Sequence, residues 1–183
     1  MEIEQTFIAG LKLIHIKEFK DIRGSFIKVF NDDFFKKHDL ETNFKESYYS
    51  ISAKNVIRGM HFQTPPAEHT KLVYVNEGSI TDVILDIRKD SPTYGEFFSL
   101  EINNNSPTLV YIPVGCAHGF LSMEDNTMVT YLQTSVYNPE CDKGIKYNSF
   151  GMNWDIENPV ISDRDNSFPP LTQFKSPFLL WKY

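Results

Sequence analysis

The stretch Leu72–Ile87 reads LVYVNEGSITDVILDI and decides the fold, because it places two β-rich runs on either side of a turn signal. Valine, isoleucine and tyrosine dominate both runs, as is typical of half-buried strands. The residues between them, Asn76–Ser79, favour a tight turn. The stretch therefore predicts two strands joined by a reversal of the chain.

The same pattern recurs along most of the chain. Two further turn signals, Asn103–Pro107 and Glu124–Asn126, predict a second and a third hairpin of the same kind. Many short strands with such spacing predict an all-β sandwich or jelly roll. The remaining β-rich runs are Leu11–Ile16, Phe26–Phe30, Tyr48–Ser52, Phe97–Ile102, Thr108–Ile112 and Met128–Thr134.

Helix signals are sparse. Asn31 or Asp32 can cap one short helix that carries Phe34 and Phe35. The tail from residue 154 to 183 is rich in proline and aromatic residues, so we expect it to wrap the barrel as irregular chain. A length of 183 residues corresponds to a single domain covering 1–183, with a core large enough to need no disulfide or metal.

Charge and cysteine content narrow the function classes. A net charge of -6 argues against a nucleic-acid binder, which needs a basic surface, but leaves room for a small phosphate-bearing ligand. Only Cys116 and Cys141 are present, which fits a reducing compartment. The first residues, Met1–Gln5, lack the pattern of a secretory signal, and no run reaches the about 20 apolar residues of a membrane span. We therefore expect a soluble, cytoplasmic protein without a membrane partner.

The segment Arg58–Gln63, RGMHFQ, is followed ten residues after His61 by Lys71. A histidine titrates near neutrality and can accept a proton, and a lysine ammonium can stabilise an enolate oxygen. The pair suits removal of a proton next to a carbonyl group. His15, His38 and His69 carry no such signal, and we expect them to be surface or packing residues.

A series of further motifs runs along the chain: Asp21–Phe26, Arg58–Gln63, Lys71–Val73, Asp86–Gly95, Ile112–Phe120, Tyr131 with Tyr137–Pro139, and Ser162–Asp165. In these motifs and their order the chain resembles the nucleotide-sugar 3,5-epimerase family of cupins, the proteins similar to dTDP-4-dehydrorhamnose 3,5-epimerase. Any one of the motifs alone would be weak, but their order along the chain is that of the family. The resemblance implies a cupin-type β jelly roll, also called a double-stranded β-helix, with no cofactor and no metal.

The resemblance also implies the catalytic roles. His61 is the general base, Lys71 stabilises the enolate, and Tyr131 returns a proton from the opposite side of the sugar, as inversion requires. Asp165 matches the aspartate that orients the histidine, with Asp163 as the competing candidate. The implied reaction is inversion of C3 and C5 of a nucleotide-linked 4-keto-6-deoxy sugar, a step of dTDP-rhamnose or related surface polysaccharide biosynthesis.

Binding roles follow from the same resemblance. Arg23 and Arg58 match arginines that hold the diphosphate, and Arg23 lies on an N-terminal strand that the family exchanges in a homodimer. His118 is expected to position the sugar, and Tyr137 to line the pocket of the sugar or of the base. The other candidate substrate contacts are Gln63, Asp142 and Arg164.

The sequence departs from the family at the nucleotide end. Lys28 stands where a glutamate is usual, and Glu46-Ser47-Tyr48 replaces a Gln-Asp-Asn stretch. These positions leave the identity of the nucleotide open. We keep Lys28, Glu46 and Tyr48 as candidate substrate contacts.

Three alternatives remain at this stage. A metal-dependent cupin dioxygenase would need a His-x-His pair, which the chain lacks, and Lys71 would oppose a cation. Epimerisation at C3 alone, or migration of the keto group between C4 and C3, would pass through the same kind of enolic intermediate. A nucleotide-sugar binding cupin without catalytic activity is the third, because fold does not fix function.

Overall fold

A computed structural model describes residues 1–105 and 107–180 of the chain. Strands dominate that part, with two short α-helices and one 3-10 helix, Leu171–Gln173. The helices are α1 (Asp32–Lys37) and α2 (Asp163–Asn166). The strands are β1 (Glu2–Gln5), β2 (Lys12–His15), β3 (Glu18–Asp21), β4 (Gly24–Ile27), β5 (Glu46–Ser52), β6 (Ile57–Gln63), β7 (Lys71–Glu77), β8 (Ser79–Asp86), β9 (Phe97–Asn103), β10 (Thr108–Ile112), β11 (Cys116–Ser122), β12 (Thr127–Gln133) and β13 (Asp142–Gly144).

Two antiparallel sheets enclose the core of a cupin-type jelly roll, so the predicted fold class is confirmed. One sheet has the order β1-β2-β10-β7-β12-β5 and the other the order β13-β6-β11-β8-β9. Alternate side chains of each strand point inward, and Val73 and Val129 of the first sheet share one buried cluster with Ile84 and Phe120 of the second. The strands β3 and β4 form a separate two-stranded sheet.

The predicted turns occur at the expected places, but the expectation of hairpins there is wrong. The turn after β7 leads into β8, yet β7 lies in the six-stranded sheet and β8 in the five-stranded one. The turns around Asn103–Pro107 and Glu124–Asn126 also cross between the sheets; Ser106 in the first of these lies outside the described residues. Turn residues specify only that the chain reverses. Whether the two strands then pair within one sheet or lie in opposite sheets depends on how both sheets are buried.

Gly78 shows why one crossing is tight. Its φ is +78°, and a Cβ atom there would lie 2.5 Å from Thr127 Oγ1. A true hairpin instead joins β8 to β9 over a longer connection, where Ile84 pairs with Phe98.

The boundaries of the predicted strands differ modestly from the predicted runs, whereas β1, β3, β6, β11 and β13 lie outside those runs. The run Phe26–Phe30 is a strand only as far as Ile27, and Phe30 packs its ring edge to face on Phe35 of α1, 4.9 Å between centroids. The predicted helix is confirmed, and its cap is Asn31, whose side chain accepts a hydrogen bond from the Phe34 N–H at 2.8 Å.

The chain after β13 packs on the outer face of the five-stranded sheet. Trp154 and Phe178 are buried against Val83, Leu85 and neighbouring apolar residues of that face. Trp181, Lys182 and Tyr183 lie outside the described residues. In the described part of the chain, the helices are too short and polar to cross a lipid bilayer.

Candidate active site

His61 and Asp165 form a close pair at one wall of the barrel. Asp165, on α2, is buried, and its Oδ1 lies 2.8 Å from Nε2 of His61 on β6. Its other oxygen accepts the Gly59 N–H at 3.0 Å, and Ser162 caps α2 by accepting the Asp165 N–H at 3.1 Å. Asp163, in contrast, is exposed on the same helix. The geometry therefore pairs Asp165, and not Asp163, with the histidine.

Glycines permit this pairing. Gly59 has φ +130°, and a Cβ atom there would lie 2.5 Å from Gly119 Cα of the neighbouring strand β11. At Gly144 of β13, a Cβ atom would lie 2.2 Å from the Phe168 ring. That ring packs edge to face on His61, 5.7 Å between centroids, and so limits the rotation of the imidazole. The close backbone contacts and the ring together hold the pair in one orientation.

The environment keeps His61 neutral and Asp165 ionised. Burial lowers the pKa of His61, and the hydrogen bond to Asp165 offsets only part of this effect. Burial raises the pKa of Asp165, but the hydrogen bond from His61 and further favourable contacts outweigh it, so the pKa lies below its usual value. An ionised carboxylate only accepts, so His61 Nε2 carries the proton and Nδ1 carries the lone pair. His61 is thus prepared to take up a proton at neutral pH.

Tyr131 lies on the opposite wall, on β12 of the six-stranded sheet. Its ring stacks on Tyr48 of β5, with 4.8 Å between centroids and 20° between planes. His118 contacts the same ring from the side, 6.0 Å between centroids. The Tyr131 hydroxyl lies 3.3 Å from Ser50 Oγ. Burial raises the pKa of Tyr131 far above its usual value, so the phenol keeps its proton until a strong base takes it.

His118 is fixed by a second carboxylate. Its Nε2 lies 2.6 Å from Oδ1 of Asp82, and both residues are buried. Asp82 lies on β8, and Oδ2 of its carboxylate has no hydrogen-bond partner among the described residues. His118 pairs directly with His61 across β11 and β6, so the two imidazoles occupy adjacent positions of one sheet.

Lys71 supplies a buried cation between the walls. It is 5% exposed, and its Nζ donates to the His61 carbonyl oxygen at 3.1 Å. Burial lowers its pKa to about 8, so the ammonium form still predominates at neutral pH. A buried positive charge of this kind can stabilise an oxyanion strongly.

Two adjoining cavities meet at Tyr48, His61 and Lys71, which line both. The inner cavity has a volume of about 180 Å³. The outer cavity has a volume of about 310 Å³. The inner one is also lined by Ser50, Arg58, His118, Phe120 and Tyr131, and the outer one by Glu46, Phe62, Gln63, His69, Gln133, Tyr137, Asp142 and Arg164.

Several residues that were predicted to contact the substrate, and that line the outer cavity, form hydrogen bonds with each other. Arg164 donates to Asp142 Oδ2 at 2.5 Å and lies over the Phe168 ring at 5.0 Å. Glu46 accepts the Tyr137 N–H at 2.7 Å. These contacts place a carboxylate, an aromatic ring and a guanidinium along the cavity mouth.

Gln63 has a more structural position than expected. Its amide nitrogen donates to the Ala67 carbonyl at 2.8 Å, and its oxygen accepts the Asn138 N–H at 2.6 Å. The side chain thereby ties together the loops that follow β6 and β12. His69, expected on the surface or in packing, is buried beside it, and burial lowers its pKa to about 2.

Arg58 lines the inner cavity, whereas Arg23 and Lys28 do not line either cavity of their own chain. The Arg58 guanidinium donates to Ser52 Oγ at 2.9 Å and to the Ile51 carbonyl at 3.1 Å. Arg23 stands on the β3–β4 hairpin with 85% of its side chain exposed and pairs with Asp21 at 2.6 Å. Lys28 follows that hairpin and is exposed.

Some site residues had no usable sequence signal. Asp82 gives no local hint of its role, since its partner His118 lies 36 positions later. Ser50 could have been found, because alternation along the predicted strand Tyr48–Ser52 puts it on the same face as Tyr48.

Among residues 1–105 and 107–180, no group of three or more His, Cys, Asp or Glu side chains is arranged to hold a metal ion.

Comparison with known proteins identifies the family. The family model described as dTDP-4-dehydrorhamnose 3,5-epimerase matches residues 5–173. The chain belongs to this family. It is 36% identical over 174 residues to the dTDP-4-dehydrorhamnose 3,5-epimerase of Methanothermobacter thermautotrophicus, covering 92% of this chain and 94% of that protein.

Solved structures of dTDP-4-dehydrorhamnose 3,5-epimerases match the whole architecture. That of the Sulfolobus tokodaii enzyme has a TM-score of 0.88 and 38% identity, covering 94% of this chain and 97% of the other. The Legionella pneumophila dTDP-6-deoxy-D-glucose-3,5-epimerase, solved with dTDP-4-keto-L-rhamnose, has a TM-score of 0.90 and 30% identity, covering 95% and 94%. Family membership thus makes this chain an epimerase of the isomerase class.

Proposed function

We propose that this epimerase inverts C3 and C5 of a nucleotide-linked 4-keto-6-deoxy sugar, with dTDP-4-dehydro-6-deoxyglucose as the first substrate to test. One observation carries the proposal. A neutral histidine with an orienting carboxylate and a buried tyrosine stand on opposite sheets around one site, with a buried lysine between them. Inversion needs this arrangement, because a proton removed from one face must be replaced from the other.

The chemistry then proceeds through an enolate. His61 Nδ1 takes the proton from the carbon next to the C4 ketone, and Asp165 favours the imidazolium that forms. Lys71 stabilises the negative charge that develops on the C4 oxygen. Tyr131 protonates the same carbon from the other side. His118, held by Asp82, positions the sugar in the inner cavity.

The diphosphate site is proposed to be shared between two subunits. The β3–β4 hairpin exposes three large apolar side chains, Phe19, Phe26 and the fully exposed Ile22, which a second copy of the chain would cover. We propose that the hairpin enters the partner of a homodimer, so that Arg23 of one subunit and Arg58 of the other hold the diphosphate.

Mixing two inactive variants tests the shared site. If Arg23→Ala and His61→Ala act in different subunits, co-refolding the two should yield heterodimers in which one site is intact. About a quarter to a half of normal activity per dimer is expected, on the order of what one intact site of two provides. Failure of the mixture to exceed either variant, with a dimer confirmed by light scattering, would contradict the shared site.

The nucleotide is identified by direct comparison. Glu46 and Tyr48 belong to the stretch that departs from the family pattern, and both line the outer cavity, so this cavity is where nucleotide preference would change. Proton NMR in deuterated water should show solvent deuterium entering the sugar of dTDP-4-keto-6-deoxyglucose and of its GDP, UDP and CDP counterparts at different rates. Entry at C3 alone would make the chain a 3-epimerase, keto migration would give a 3-keto product, and no entry with any of the four would indicate a binding protein.

We also propose that the protein works in the cytoplasm. Both cysteines, Cys116 and Cys141, are buried and unpaired as thiols. Burial raises the pKa of Cys116 to about 12, which keeps that thiol unreactive. Cell fractionation that finds the protein in the periplasm or in membranes would contradict this location.

A further inference from the structure

If Tyr131 is the proton donor for both inverted carbons, it must deliver two protons to the same side of the sugar. Tyr131 holds a single hydroxyl proton, so its phenolate must be reprotonated before a second carbon can be inverted. This requirement rests on the proposed 3,5-epimerisation. It raises the question of how a proton reaches a side chain that is only 6% exposed.

The surroundings of Tyr131 leave one described route. Tyr48 stacks on one face of the ring, and His118 packs against it at 6.0 Å. Among the described residues, the hydrogen-bond partner of the Tyr131 hydroxyl is Ser50, with 3.3 Å between the two oxygens. In the described part of the chain, Ser50 is therefore the group placed to pass a proton to the phenolate while the sugar fills the inner cavity.

Ser50 itself has access to water. It lies on β5, the edge strand of the six-stranded sheet, and it is partly exposed. Its side chain also lines the inner cavity. A serine hydroxyl can donate and accept at once, so it can pass a proton without carrying a charge.

Arg58 places a positive charge in the cavity where the transient phenolate forms. Its guanidinium, held by Ser52 Oγ and the Ile51 carbonyl, lines the same cavity. The positive charge of Arg58 acts against the burial that raises the pKa of Tyr131. Burial still dominates and holds the pKa of Tyr131 far above its usual value, so the phenolate is a strong base that takes up a proton readily.

We propose that Ser50 relays a proton from solvent to Tyr131 between the two inversions. In the first inversion the O–H bond of Tyr131 breaks as a C–H bond forms on the sugar. The phenolate then takes the Ser50 hydroxyl proton while a water molecule gives its proton to Ser50 Oγ. The hydroxide left behind is neutralised by the proton that His61 took from the sugar, so the cycle is balanced. Ser50 acts through Tyr131 and does not contact the reacting carbon.

Ser50→Ala and Ser50→Thr separate this role from a structural one. With enzyme in excess over dTDP-4-keto-6-deoxyglucose in deuterated water, we expect Ser50→Ala to keep the first inversion and to slow the second by about 10-fold or more. Sugar with one inverted, deuterated carbon should accumulate. Ser50→Thr restores the hydroxyl and should restore the double inversion. Ser99→Ala, an exposed serine on β9, the edge strand of the other sheet, is the matched control.

The outcomes are distinguishable. Equal ratios of singly to doubly inverted sugar in Ser50→Ala and the unmodified protein would overturn the relay while leaving the epimerase intact. A uniform loss of both inversions that Ser50→Thr does not reverse would also overturn it. Absence of deuterium exchange in the unmodified protein would overturn the proposed function, and the relay with it.

Discussion

The Nε2 atom of His61 lies 2.8 Å from Oδ1 of Asp165, although 104 positions separate the two residues in the chain. The carboxylate also accepts the backbone N–H of Gly59, two residues before the histidine. A single buried side chain therefore fixes both the histidine and the strand that carries it. The consequences of this arrangement can be measured one group at a time.

Asp165→Asn should lower kcat by on the order of 10²- to 10⁴-fold. The amide no longer stabilises the imidazolium and can select the wrong tautomer of His61. Steady-state rates of epimerisation measure the effect. Asp163→Asn on the same helix is the matched control and should stay within about twofold of the unmodified protein, as exposed substitutions usually do. Equal losses in both variants would contradict the pairing.

Tyr131→Phe should slow inversion more than it slows deuterium exchange. The variant keeps the base, so a proton can still leave the sugar and be replaced by deuterium from His61 on the original face. Proton NMR in deuterated water follows exchange and inversion in one sample. Tyr49→Phe removes a hydroxyl from the neighbouring exposed position of β5 and should change neither. Parallel loss of both processes in Tyr131→Phe would count against the donor role.

The pH profile of kcat/KM should be bell-shaped. Burial lowers the pKa of His61, so activity should rise through a limb that lies below the ordinary histidine value of 6.5. Burial also lowers the pKa of Lys71 to about 8, and loss of its charge above that pH should remove stabilisation of the enolate.

Lys71→Met provides the check on the alkaline limb. This variant should lose about 10²- to 10³-fold in kcat and should no longer show the decline near pH 8. Lys45→Met, which removes an exposed lysine, should retain both limbs. A decline near pH 8 that survives in Lys71→Met would assign that limb to another group.

Gly59→Ala should destabilise the protein more than Gly24→Ala. Both glycines have positive φ, +130° and +113°, so both substitutions strain the backbone. Only at Gly59 would the new methyl group collide, 2.5 Å from Gly119 Cα. Crowding of this kind costs about 1 to 3 kcal/mol, and urea unfolding of the two variants measures the difference. Equal stability would show that the strands can move apart.

Local patterns in the sequence predict eight of the thirteen described strands, the helix α1 and the family, but β1, β3, β6, β11 and β13 fall outside the predicted runs. The two β-rich runs of Leu72–Ile87 and the turn at Asn76–Ser79 are determined by neighbouring residues, and the structure contains both strands and the turn. The sheet to which each strand belongs depends on how the inner faces of both sheets are buried together. Local sequence does not encode this, so it predicts a hairpin after β7, where the chain instead crosses to the other sheet.

The candidate site shows the same division. His61, Lys71, Tyr131 and His118 lie in recognisable motifs, and the structure brings them around the two cavities. The choice of Asp165 over Asp163 depends on which carboxylate α2 turns inward, a tertiary contact. Arg23 lies in solvent in the single chain, and its proposed role at the diphosphate requires the homodimer proposed above.

The most direct test of the central claim is a proton NMR time course in deuterated water with dTDP-4-keto-6-deoxyglucose, comparing the unmodified protein with His61→Ala and with His15→Ala. His15 lies on β2 and pairs with Glu4, away from the cavities. We expect deuterium at both C3 and C5 for the unmodified protein and His15→Ala, and a loss of about 10²- to 10⁴-fold in both signals for His61→Ala. Exchange that continues at the normal rate in His61→Ala would contradict the role of His61 as the base.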